Sequence, residues 1–260
     1  MLSKLFGKKE PEPKKKFHPE NRLEALLMQA AVKASLRPEF YKELLTADLY
    51  VLILPQENQS GKFTTQPGDM ISVKGGVFNG KKLIPVFSSE RRLREYITGQ
   101  ETLAKLNGRS LFVMLASQNE AVILNPGSGY GKEFTGQEIA GLADGSIFQT
   151  NKQQIEKDTQ VLLSMPAEPP TELIQNLNAY FEREPRVNRA YYAQIHMPQT
   201  DEAPHLLFAV EADGEFEPIA SELGIIFREV AGQGQVIDLI QLGKGSLDDY
   251  FSHQQPFYQK

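Results

Sequence analysis

The sequence predicts an α+β protein of two mixed α/β domains, each with a largely antiparallel sheet covered by helices. Three observations carry that expectation. Short apolar runs of strand length alternate with amphipathic stretches of helical period. An Asn-Gly pair between two such runs marks a tight hairpin. A length of 260 residues suffices for two cores of ordinary domain size, roughly 100 to 150 residues each. The expected division is a disordered basic head at 1–18, a first domain at 19–148 and a second at 149–260.

The elements follow in order. After Pro19, the spacing of Leu23, Leu26, Leu27 and Ala30 lines one helix face. Pro38 opens a second short helix that sends Phe40, Leu44 and Leu45 toward the same core. LYVLILP at 49–55 is short, partly β-branched and stopped by Pro55, which predicts a buried strand. Strands are expected at 70–78 and 82–87, paired antiparallel across Asn79-Gly80, because both residues tolerate the positive φ of a type I′ turn. Ser88 or Ser89 then caps a helix carrying Leu93, Tyr96 and Ile97. LFVMLA and AVILNP, joined by SQNE, predict a second pair of strands, and a helix from about Thr135 closes the first domain.

A polar stretch from Gln149 to Asp158 marks the boundary, and VLLSMP at 161–166 reads as an early strand of the second domain. A helix opening at Pro170 and Thr171 buries Leu173, Ile174, Leu177, Tyr180 and Phe181. Strands at about 187–197 and 204–212 follow, joined by PQTDEA, and then a helix at about 215–229 that Gly224 weakens. QVIDLIQL is the expected last strand, and a short helix from Ser246 turns Leu247, Tyr250 and Phe251 inward. No fixed-period repeat is visible, which excludes solenoids and propellers.

Composition removes several classes of function. The chain has no cysteine, so a disulfide framework, a thiolate zinc site, an iron–sulfur cluster and a cysteine nucleophile are all excluded. The first residues lack the apolar stretch of a secretory signal, and no apolar run approaches the roughly 20 residues of a membrane-crossing helix. The expected location is the cytoplasm. The net charge of −5 is unevenly spread, because residues 1–16 hold six lysines against two glutamates. The acidic remainder argues against dedicated nucleic-acid binding, which draws its non-specific affinity from Lys and Arg on phosphates. The lysine-rich head, with Leu2, Leu5 and Phe6, suits at most a weak contact with an anionic membrane surface or an acidic partner.

Motifs of catalysis are missing or incomplete. NPGSGYGKEF at 125–134 resembles a phosphate loop, but Pro126 stands where a Walker A glycine is needed and Glu133 where a Ser or Thr would hold magnesium. It reads instead as a strand-to-helix turn or as a recognition loop in which Tyr130, Lys132 and Glu133 meet a ligand or partner. Four histidines are present. Only His196 and His205 approach one another, across the open end of a hairpin, with no third ligand in view. Glu211, Asp213, Glu215 and Glu217 form an acidic cluster that could bind a cation or an amine but more often is a strand-to-helix turn, with acids in the first helical turn. No Gly-x-Ser-x-Gly elbow occurs. We assign no catalytic, cofactor or metal residue from sequence.

AEPPTELIQNL, PRVNRAYYAQI, PHLLFAVEADGEFEPI and PFY at 256–258 occur in the order and character of the C-terminal region of the SseB family, named for enhanced serine sensitivity. LIPVF and GKEFTGQEIAGL resemble its N-terminal region. The resemblance spans about residues 19–258 and implies an N-terminal and a C-terminal SseB domain in a bacterial protein. It transfers no catalytic residue. The expected function is that of a non-enzymatic interaction or regulatory protein with a protein partner, its exposed loops lying around Tyr130, Lys132 and Glu133 and around Asp213 and Glu215. The alternative is a small-molecule sensor or an unrecognised enzyme of amino-acid metabolism.

Overall fold

The computed structural model describes residues 17–54, 72–117, 120–150, 159–232, 235–243 and 245–260. The lysine-rich head, Pro55 and most of the polar stretch at 149–158 lie outside the described residues. The chain forms two compact units. One takes in the residues up to Met28 together with Glu43–Ala143, and the other joins Gln29–Lys42 to Asp144–Lys260.

The first unit is built on a six-stranded sheet. Helix α1 (Arg22–Ala30) buries Leu23, Leu26 and Leu27, as its spacing requires. Helix α2 (Arg37–Thr46) has Pro38 in its first turn, where a missing N–H costs nothing. Phe40, Leu44 and Leu45 are all buried, Phe40 being counted with the second unit and Leu44 and Leu45 with the first. Strand β1 (Asp48–Leu52) pairs antiparallel with β3 (Lys81–Phe87) and with β4 (Leu103–Asn107). Strand β2 (Gly76–Phe78) forms the hairpin with β3; Asn79 (φ 50°) and Gly80 (φ 79°) both take the left-handed conformation of a type I′ turn.

Ser89 caps helix α3 (Glu90–Tyr96) by accepting the backbone N–H of Arg92. LFVMLA does not form the expected strand. It lies in helix α4 (Gly108–Ala116), capped by Asn107, and the strand of that region is the preceding LAKLN, β4. Strand β5 (Ala121–Leu124) runs parallel to β3, β6 (Lys132–Phe134) pairs antiparallel with β5, and α5 (Gly136–Asp144) follows. The sheet order is β4-β1-β3-β5-β6, with β2 on β3.

The second unit carries a five-stranded sheet of order β10-β9-β8-β11, with β7 also on β8. Its members are β7 (Leu162–Ser164), β8 (Val187–His196), β9 (His205–Ala212), β10 (Ile237–Gln241) and β11 (Tyr258–Gln259). Strand β11 follows QVIDLIQL, so that segment is not the last strand. Among the described residues of this unit, only β9 and β10 pair in parallel, across helix α7 (Glu217–Ala231).

Alternation along β8 and β9 explains why the middle of each strand, Ala190–Ala193 and Leu206–Val210, is a continuous apolar run. Ala190, Phe208 and Val210 pack on helices α6 (Thr171–Phe181) and α7, while Tyr191, Ala193, Ile195, Leu207 and Ala209 pack with Phe251 of α8 (Asp248–Ser252). Successive side chains of a strand point to opposite faces, and here both faces are covered. The PFY segment closes the first of these cores: the Phe257 ring lies 6.2 Å from Phe181 and 5.9 Å from Phe208, and the Tyr258 hydroxyl donates to the Phe181 carbonyl at 3.1 Å.

Candidate functional site

Strands β3 and β5 are parallel neighbours, and open α/β sheets gather polar groups beyond the carboxyl ends of such strands. Ser88 and Ser89 follow β3, and Asn125 follows β5. Helix α1 adds Glu24 and α3 adds Arg92. Glu24 is wholly buried, and Ser88, Arg92 and Asn125 nearly so.

Glu24 is the hub. One of its oxygens accepts from the hydroxyls of Ser88 (2.8 Å) and Ser89 (3.0 Å) and from Arg92 Nε (3.2 Å). The other accepts from Arg92 Nη2 (2.9 Å) and the backbone N–H of Glu20 (3.0 Å). Asn21 caps α1 by accepting the Glu24 N–H at 2.9 Å, while the Glu24 carboxylate reaches back to the residue before the cap. Asn125 accepts the Ser88 N–H at 2.9 Å and donates Nδ2 to the Ser88 hydroxyl at 2.7 Å. Arg92 further donates to the His18 carbonyl at 2.6 Å, and its guanidinium lies 4.2 Å from the centre of the Phe17 ring.

Burial works against the charge on Glu24, but the bonds from Arg92, the Glu20 N–H, Ser88 and Ser89 together outweigh it and hold its carboxyl below the usual glutamate range. Burial likewise disfavours the Arg92 cation, and the bonds and charge of Glu24 and Glu95 more than restore it. The result is a buried ion pair whose lone pairs and N–H groups are met from within the unit.

This network supports the glycine-containing loop. Asn125 takes a left-handed conformation (φ 51°) and donates its N–H to the Val86 carbonyl at 2.8 Å. Gly131 passes so close to β5 that a Cβ there would sit 2.6 Å from the Leu124 carbonyl oxygen, which only glycine avoids. Tyr130 packs edge-on against Phe17, with ring centres 5.2 Å apart. The loop joins β5 to the edge strand β6, not to a helix as expected. Lys132 and Glu133, expected in the loop, are on β6: Lys132 pairs with Glu138 at 2.9 Å and Glu133 with Lys81 at 3.2 Å. Thr135 and Glu138 then form a capping box at the start of α5, with bonds of 2.9 and 3.2 Å.

The other expected sites lie in the second unit. Asp213 and Glu215 are exposed in the turn from β9 to α7, where the Asp213 N–H donates to the Arg186 carbonyl and Gly214 (φ 73°) reverses the chain. Glu217 stands in the first turn of α7, and Glu211 pairs with Arg189 at 2.7 Å. His205 opposes Ile195 in the hairpin and lies 3.0 Å from an Asp238 oxygen. Among the described residues no group of three or more His, Cys, Asp and Glu is placed to hold a metal ion. Sequence reasoning missed Glu24, Arg92 and Asn125. The one local signal was Asn21-x-x-Glu24, a capping spacing before an apolar run.

No helix among the described residues is long and apolar enough to cross a membrane. Fold and site define a chain of two α+β units, each with its own mixed sheet, whose strand-end polar groups are locked into the structure. The chain belongs to the SseB family: residues 23–141 match the SseB protein N-terminal domain and residues 155–260 the SseB protein C-terminal domain. Protein SseB of Escherichia coli (strain K12) and Protein SseB of Shigella flexneri are each 29% identical to it over 246 residues, 93% of this chain and 93% of the relative. No solved structure matches the chain.

Proposed function

We propose that this is a non-enzymatic interaction or regulatory protein of the SseB type, acting in the bacterial cytoplasm on a protein partner through the Asn125–Gly131 loop and the adjoining edge strand β6. The observation that supports this reading is the closed state of the strand-end network. An acid–base catalyst must turn a proton donor or acceptor toward its substrate. Here both Glu24 oxygens face Ser88, Ser89, Arg92 and the Glu20 N–H, and the network instead fixes the base of a loop. Loops held on rigid scaffolds carry much of protein recognition, and Glu133 is exposed and Tyr130 half-exposed.

The test is affinity capture with the tagged full chain, quantified against a Tyr130→Ala, Glu133→Lys double variant. A partner that is retained by the parent and lost at least tenfold by the variant, with thermal unfolding unchanged, is the expected outcome. Equal capture by both chains would sink the loop reading.

A further inference from the structure

A second site is written into the first sheet where it splits. Strand β3 meets two partners along one side: β2 opposite Leu83, Lys82 and Lys81, and β1 opposite Val86 and Phe87. Residues 84 and 85 fall between them. The Val86 carbonyl accepts from Asn125 on the β5 side, so by alternation the main-chain polar groups of residue 85 face the split. That residue is Pro85, which has no N–H to leave unpaired there. Beyond the split β1 turns to another neighbour: the Leu52 carbonyl accepts the Lys74 N–H at 2.8 Å, and Ile53 bridges to Val73.

The opening is a cleft of about 250 Å³. Leu52 and Pro85 are among its lining residues, as are Tyr96 and Ile97 from the end of α3, Gly75 and Gly76. Lys74 and Glu101 also line it, and Lys74 Nζ lies 2.7 and 2.8 Å from the two Glu101 oxygens. The cleft therefore has an apolar part and one charge of each sign. Its volume is below the roughly 300 Å³ at which drug-sized pockets begin, so its occupant is small. Tyr96, which lines the cleft, remains 36% exposed although Phe87 and Phe78 pack on it.

We propose that this cleft binds a free α-amino acid with an apolar side chain, its carboxylate on Lys74, its ammonium on Glu101 and its side chain against Leu52, Pro85, Ile97 and Tyr96. The Lys74–Glu101 pair is partly exposed and contributes little by itself. A zwitterion exchanges that one pair for two and covers the apolar surface at once. A ligand with a single charge leaves one partner unmatched. The site uses none of the residues of the loop described above, so it stands or falls independently of that reading.

The test is an NMR titration of the isotope-labelled full chain with L-leucine and L-phenylalanine, each taken to about 10 mM so that a millimolar complex saturates. Saturable shifts of the Gly75, Gly76 and Thr98 amides are expected, with none from isovalerate or isopentylamine, which carry one charge each. Glu101→Gln weakens binding about tenfold or more. The doubly exchanged chain, K74E with E101K, keeps an ion pair at the rim but reverses its order, and it loses binding to a similar degree. Absent shifts with both amino acids, equal shifts with isovalerate, or unchanged binding in the exchanged chain would each overturn the proposal.

Discussion

Glu24 and Arg92 are 68 positions apart in the chain yet form the most buried ion pair among the described residues, with side-chain exposures of 0% and 5%. Removing one partner strands the other in a low-dielectric site. Arg92→Leu should therefore destabilise the protein by about 3 to 5 kcal/mol, read as a lower urea midpoint. The pH dependence has a definite sign. The Glu24 carboxyl is held below its ordinary value in the folded chain, so its contribution is complete above that ordinary value and is lost as pH falls through the folded one. Urea midpoints between about pH 3 and pH 7 should drop more steeply at the acid end for the parent than for Glu24→Gln. Nothing local announces such a pair, because ion pairing across 68 residues depends on the sheet order. Asn79-Gly80 and the glycines around Tyr130 were legible because a positive φ or a close approach restricts the residue type at the position itself.

Among the elements, β-rich composition misled at LFVMLA. Phe and Val favour strands, but Gly108, Leu111, Phe112 and Leu115 are buried at the i, i+3, i+4, i+7 spacing of a helix, and Val113 is 53% exposed. Period outweighed propensity. The neighbouring β4 escaped notice because LAKLN is a half-exposed edge strand whose only long run of pairing is with β1. GKEFTGQEIAGL resolves into β6, a capping box and α5. Thr135→Ala removes the side-chain half of that box and should cost about 1 kcal/mol, measured as a fall in the thermal midpoint.

Across the whole molecule, the α+β class and the two-sheet plan were readable from alternating strand and helix patterns, whereas the strand orders were not. The terminal PFY segment illustrates the difference. Its residues show no strand period over so short a length, yet Phe257 joins Phe181, Tyr192 and Phe208 in one aromatic cluster, and Tyr258 pairs with Ala190. Phe257→Ala should cost about 3 kcal/mol through lost burial and aromatic contacts. Calorimetry should show it as a transition moved to lower temperature, and an unmoved profile would mean that the chain end is dispensable.

Residues 29–42 are counted with the second unit, though they precede most of the first. Arg37 and Tyr41 reach Glu229 at 2.6 and 3.1 Å, partners separated from them by 192 and 188 positions. A ribosome therefore delivers this segment long before the helix that receives it, and the second unit cannot reach its final packing until nearly the whole chain has emerged. For the same reason a cut at the polar stretch after Phe148 does not yield two complete pieces: the trailing fragment lacks fourteen residues of its own unit, Gln29–Lys42, and the leading fragment carries them without their partners.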